Sequence, residues 1–149
     1  MVADLNADMF LTLFPVKDIV VFGAEHSTLG AVIGDVARRL GLEVAPDPFP
    51  EEVIFVRSDH YSFVREGVPS IMLSCGLHSA DPAVDGEKIY RSWIANVYHS
   101  PQDDMSQAVD FESAAKIAEL YLLAAEEIAD GPARPAWTKG DFFAARFAH

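Results

Sequence analysis

Between Ser27 and Gly41, with Ala31 off the series, lie the apolar residues Leu29, Val32, Ile33, Val36, Ala37 and Leu40 at helical spacing. Steps of three and four place them on one helical face. Ser27 is a residue type that caps helix starts, and Gly41 ends the pattern, so the spacing predicts a helix here. A longer helix is predicted over Phe111 to Asp130, with Asp110 as its cap and Gly131-Pro132 as its stop. One of its stripes runs Phe111, Ala115, Ala118, Leu122 and Ala125. Ile117, Tyr121, Ala124 and Ile128 widen it, so this helix is expected to be well buried. A short helix is predicted over DHYSFVREG (59–67), ending at glycine.

Elsewhere the apolar residues come in short runs. Leu5 to Leu13, DIVVFG (18–23), EVIFVR (52–57) and VPSIMLSCG (68–76) read as strands. The first two are close enough in sequence to form a hairpin or to be neighbours in one sheet. APDPFPEE (45–52) holds three prolines and reads as a loop. From Leu77 to Gln107 the periodicity fades, and so long a loop in a compact domain is usually functional or mobile. The aromatic tail from Pro135 to His149 is expected to wrap over the body or to fray. Strands alternating with helices predict an α/β layered sheet with flanking helices. The body would span 1–134 and the tail 135–149. There is no internal repeat and no low-complexity segment.

Length and charge narrow the function. A chain of 149 residues suits one domain. The net charge of −12 argues against nucleic-acid binding, which needs clustered Lys and Arg. It favours cations and positively charged ligands, and it favours solubility. The single cysteine, Cys75, excludes an internal disulfide and reads as a small buried side chain. No run reaches the roughly 18–20 apolar residues of a membrane span. Asp4 and Asp8 stand where a signal peptide would be basic, so no such leader is expected within this chain.

Three places carry candidate chemistry. His99 lies in NVYHSPQDDM (96–105), where Pro101 stiffens the loop and Asp103 and Asp104 can orient a ring nitrogen. Such a loop suits zinc, although a lone loop histidine is also ordinary polar surface. Asp59, in SDHYSF (58–63), sits where a strand gives way to a helix. It can cap the helix, or it can stand at a site at the end of the strand. Asp8 is an acid in an apolar segment. It is either an end-of-strand surface acid or a carboxylate in need of a partner or metal. HExxH, CxxC pairs, GxSxG and a glycine-rich phosphate loop are all lacking.

Taken together, NADM (6–9), RSDHYSFVREGVPSIML (57–73) and YHSPQDD (98–104) resemble blocks of the M28 family of zinc peptidases. That family includes aminopeptidases, glutamate carboxypeptidases and glutaminyl cyclases. The order and spacing of the blocks agree over about residues 3–130, as does the long helix that follows. The resemblance implies part of a zinc-exopeptidase (phosphorylase/hydrolase-like) fold, a mixed, mostly parallel sheet between helices. It implies that Asp8 and His99 are zinc ligands and that Asp59 supports the site or stands beside the substrate. Asp103 and Asp104 would steady His99. The peptidases of the family use two zinc ions and the cyclases usually one.

The chain also departs from the family. The family's first metal-binding histidine, its bridging aspartate and its Glu-Glu pair, one of which is the general base, lie upstream of the NADM block. Only five residues precede Asn6 here. Phe55 stands four residues before Asp59, where some aminopeptidases have a tyrosine that polarises the substrate carbonyl. The resemblance therefore implies the C-terminal part of a zinc-dependent exopeptidase, an aminopeptidase acting on peptide substrates, inactive as the isolated chain. Its partner would be the missing N-terminal half. Two other expectations stand beside it: a non-catalytic module that self-associates or binds a partner, and glutaminyl cyclisation by the intact protein. Relatives are often exported, and an export signal would then lie upstream of Met1.

Overall fold

The computed structural model of the protein describes residues 1–9 and 11–148. Its centre is a four-stranded mixed sheet in the order β1-β4-β2-β3, built from β1 (Asp4–Ala7), β2 (Asp18–Phe22), β3 (Glu43–Ala45) and β4 (Ser70–Cys75). β1 runs parallel to β4 and β3 parallel to β2, whereas β2 and β4 are antiparallel, with Val21 opposite Leu73. The α/β layered sheet read from the sequence is therefore present. β1 and β2 share it, but β4 lies between them, so they form neither a hairpin nor neighbours.

Strand alternation sends side chains to two different cores. Ile19, Val21, Ile71 and Leu73 meet α1 (Leu29–Arg39) and α4 (Phe111–Asp130), which supply Leu29, Ile33, Val36, Ile117, Leu120 and Ala124. The bulkier of these side chains are fully buried, each worth about 1.5–3 kcal/mol relative to exposure. On the other side, Phe22 packs with Phe55, with Val64 of α2 (His60–Arg65) and with Phe143 of α5 (Phe142–Phe147). The tail wraps rather than frays. Trp137 Nε1 donates to the Gly67 carbonyl at 2.9 Å, and Asp141 caps α5 through the Phe143 and Ala144 amides. His149, at its end, lies outside the described residues.

Several elements differ from the sequence reading. The strand expected over Leu5–Leu13 stops at Ala7, because Met9 takes a left-handed φ of 52°; Phe10, inside that span, lies outside the described residues. EVIFVR is not a strand but part of two 3-10 turns, Pro50–Glu52 and Ile54–Val56. Val53 is left-handed at φ 50°, and the Val53, Val56 and Arg57 amides close turns onto the Pro50, Val53 and Ile54 carbonyls instead of pairing with a strand. Phe55 is buried against Val64 and Phe143 instead. β3 was not expected. Nor was α3 (Gly86–Asn96), which lies inside the supposed long loop and starts where Asp85 Oδ1 accepts from the Lys88 amide at 3.0 Å.

α4 has the expected bounds and cap. Asp110 Oδ1 accepts from the Ser113 amide at 2.8 Å. Thr12 and Asp110 exchange two hydrogen bonds, and Ser113 Oγ accepts from the Val16 amide, so the start of the helix is stapled to the segment before β2. Its burial is only half what the pattern suggested. The Ile117–Tyr121–Ala124–Ile128 side packs inward, but Phe111, Ala115, Ala118, Leu122 and Ala125 face outward. α1 begins one residue later than its cap type implied. Thr28 is the N-cap, and Ser27 Oγ accepts from the Leu29 amide at 3.3 Å.

Candidate functional site

Asp8 follows the last residue of β1 and is partly buried. The Ser58 hydroxyl donates to Asp8 Oδ2 at 2.6 Å, and Asn6 Nδ2 donates to Ser58 Oγ at 3.1 Å. Asn6 also reaches His60 Nδ1 at 3.4 Å. The opposite ring nitrogen of His60, Nε2, lies 2.6 Å from the Phe55 carbonyl. A carbonyl only accepts, so Nε2 carries the proton and Nδ1 is left as the acceptor for Asn6. His60 is fully buried, and burial pulls its pKa below the ordinary histidine value against the Phe55 hydrogen bond and the charges of Asp8 and Asp59. The ring is thus a neutral strut. β1 ends by feeding Asn6 and Asp8 into a polar chain that ties it to the start of α2.

Asp59 occupies the N-cap position of α2 but makes no side-chain cap bond, and it is exposed. His99 lies in the turn after α3, exposed, with a left-handed φ of 56°. Its ring stacks on Tyr98 with centroids 3.7 Å apart, and Tyr98 leans on the buried Trp93 at 5.4 Å. Asp104 Oδ1 accepts from the Ser106 amide at 2.8 Å, and the Ser106 side chain, then this amide, hold its carboxyl below the usual carboxylate range. Asp103 is exposed, and its amide donates to Ser100. Neither acid hydrogen-bonds the His99 ring in this arrangement.

Asp8 and His99 each stand next in the chain to a residue of one cavity. Their chain neighbours Met9 and Tyr98 line a single cavity of about 400 Å³ with Phe49, Glu52, Ile54, Arg57, Tyr90, Arg91 and Ile94. Among the described residues, left-handed φ values outside glycine occur at Met9, Val53 and His99, and each either lines this cavity or stands next in the chain to a residue that does. Non-glycine residues held in that region are costly and cluster where a site dictates the backbone.

Zinc needs three or four donors. Among the described residues there is no group of three or more His, Cys, Asp or Glu side chains placed to hold a metal. Asp8 already accepts from Ser58, and Glu52, the carboxylate in the cavity wall, is bonded to Arg57. The described residues do not compose a zinc centre by themselves. The functional groups that sequence reasoning passed over are Asn6, Ser58 and His60. They lie inside NADM and SDHYSF, yet nothing local reveals that they bond one another across more than fifty positions.

The family described as Peptidase family M28 matches residues 1–125 of the chain. No curated protein and no solved structure shows a significant match.

Proposed function

From the premise that the chain belongs to peptidase family M28, we propose that it forms the Asp8 and His99 side of a zinc-dependent exopeptidase site, most simply an aminopeptidase. The cavity between Met9 and Tyr98 carries this reading, because it brings the neighbours of both candidate ligands to one opening large enough for a peptide side chain. Asp8 would be the rigid ligand, since Ser58 and Asn6 fix its carboxylate. His99 would be the loop ligand, steadied by Tyr98 and, once the site is complete, by Asp103 and Asp104. Asp59 would stand beside the substrate. The remaining ligands and the general base would come from a complementing segment, because a two-donor site cannot hold zinc tightly or accept a proton from its water.

The isolated chain is then inactive on aminoacyl anilides and takes up less than one equivalent of zinc at micromolar metal. Turnover that survives repurification and disappears in His99→Ala would refute this. A second reading, in which the chain is a non-catalytic module that self-associates, draws on a different feature. The outward stripe of α4 leaves Phe111 78% and Leu122 58% exposed.

A further inference from the structure

Only 11 of the 149 residues are Lys or Arg, and the net charge is −12. Yet two arginines, Arg57 from the turn before α2 and Arg91 from α3, line the cavity that Met9 and Tyr98 share. Each guanidinium is braced by a glutamate close by in the chain. Arg57 Nη1 donates to Glu52 Oε2 at 2.5 Å and to the Glu52 carbonyl at 3.0 Å. Arg91 Nε donates to Glu87 Oε1 at 2.8 Å, and its guanidinium lies 4.8 Å over the Phe49 ring. These bonds use one nitrogen of each group. Both Nη atoms of Arg91, and Nε and Nη2 of Arg57, have no hydrogen-bond partner among the described residues.

A guanidinium held from one edge presents a planar fork of N–H donors on the other, which matches a carboxylate. Glu52, which braces Arg57, is also in the wall, and the rest of it is apolar or aromatic; the Phe49 and Tyr90 rings stack with centroids 6.2 Å apart. We propose that this cavity recognises a peptide by a carboxylate, gripped by Arg57 and Arg91, with an apolar side chain set against Phe49 and Tyr90. The proposal rests on the reading of the cavity as a peptidase substrate cleft. It specifies that reading further: the preferred substrates are short peptides whose acid group, terminal or side-chain, comes within reach of the cavity.

Binding to the 149-residue chain tests this without turnover. The probes are Ala-Phe, its C-terminal amide, and Asp-Phe amide, titrated by calorimetry and by NMR at the Phe49, Tyr90 and Tyr98 signals. Ala-Phe is expected to bind at least roughly tenfold tighter than its amide, as befits a charge-assisted hydrogen-bond pair. Arg57→Gln and Arg91→Gln should each remove most of that difference. Arg91→Lys should restore part of it, and Arg38→Gln, on the exposed side of α1, should leave it intact. If Asp-Phe amide regains the affinity, a side-chain acid suffices; if it does not, the free C-terminus is the recognised group. Equal binding of acid and amide, with the cavity signals still shifting, would overturn carboxylate recognition and leave the cleft reading standing. No shift at those signals with any probe would overturn both.

Discussion

Asp18 opens β2 and is 1% exposed, and one residue satisfies both of its oxygens. The His78 amide donates to Oδ1 at 3.0 Å, and His78 Nδ1 meets Oδ2 in a short contact. Gly76 makes room for the pair, since a Cβ there would stand 2.1 Å from Asp18 Oδ1. The hydrogen bond to Asp18, then its charge, raises the His78 pKa above the ordinary histidine value. The folded pKa therefore exceeds the unfolded one, and the pair contributes in full below about pH 6.5. That contribution is lost as pH rises through the folded value. His78→Gln is expected to flatten this loss in urea midpoints measured from pH 5.5 to 8.5, and NMR titration of wild type should place His78 above a free histidine. Identical pH dependence in the two proteins would refute the coupling. In sequence Asp18 reads only as the polar start of an apolar run, because its partner lies sixty positions away. Asn6, Ser58 and His60 were hidden for the same reason, whereas Cys75 could be read from its own neighbours. Its thiol is buried as expected, and burial, followed by the charge of Asp18, pushes its pKa up to about 12.

Elements were legible where the chain carries both a period and its punctuation. α1, α2, α4, β2 and β4 each combine an apolar rhythm with a cap, a glycine or a proline, and they lie close to the expected bounds. β3 has three residues and no rhythm, and α3 buries little besides Trp93, so neither announces itself. EVIFVR misled because β-branched residues signal burial as readily as they signal a strand. The cap of α4 gives a direct test. Asp110→Ala should cost about 1 kcal/mol in urea unfolding, and Asp110→Asn much less, because the amide oxygen can still accept from Ser113. The Ser113 contacts hold the Asp110 carboxyl below its usual range, so its contribution is present above about pH 3.9 and fades as pH falls through the folded value. An alanine variant as stable as wild type would show that the Thr12 and Ser113 staples hold the helix start without the cap.

At the scale of the whole molecule two surface properties oppose each other. α4 turns Phe111, Ala115, Ala118, Leu122 and Ala125 outward, and β1 is an edge strand of the sheet. Uncovered apolar stripes and free strand edges drive association. The charge of −12 drives copies apart, and Glu112, Glu119 and Glu126 lie along the same exposed side of the helix. Charge repulsion is screened over about 8 Å at 0.15 M salt, whereas apolar burial is not screened. If copies of the chain meet through α4, light scattering should show the mean mass rising with concentration and rising further from 0.02 to 0.5 M salt. Leu122→Glu and Phe111→Glu should each return it to 16.3 kDa. A complementing peptidase segment that covers α4 would compete, so its addition should dissolve the self-associated form and restore zinc uptake together. A chain that stays monomeric at millimolar concentration in high salt would remove the self-association reading and leave the half-site reading as the account of both surfaces.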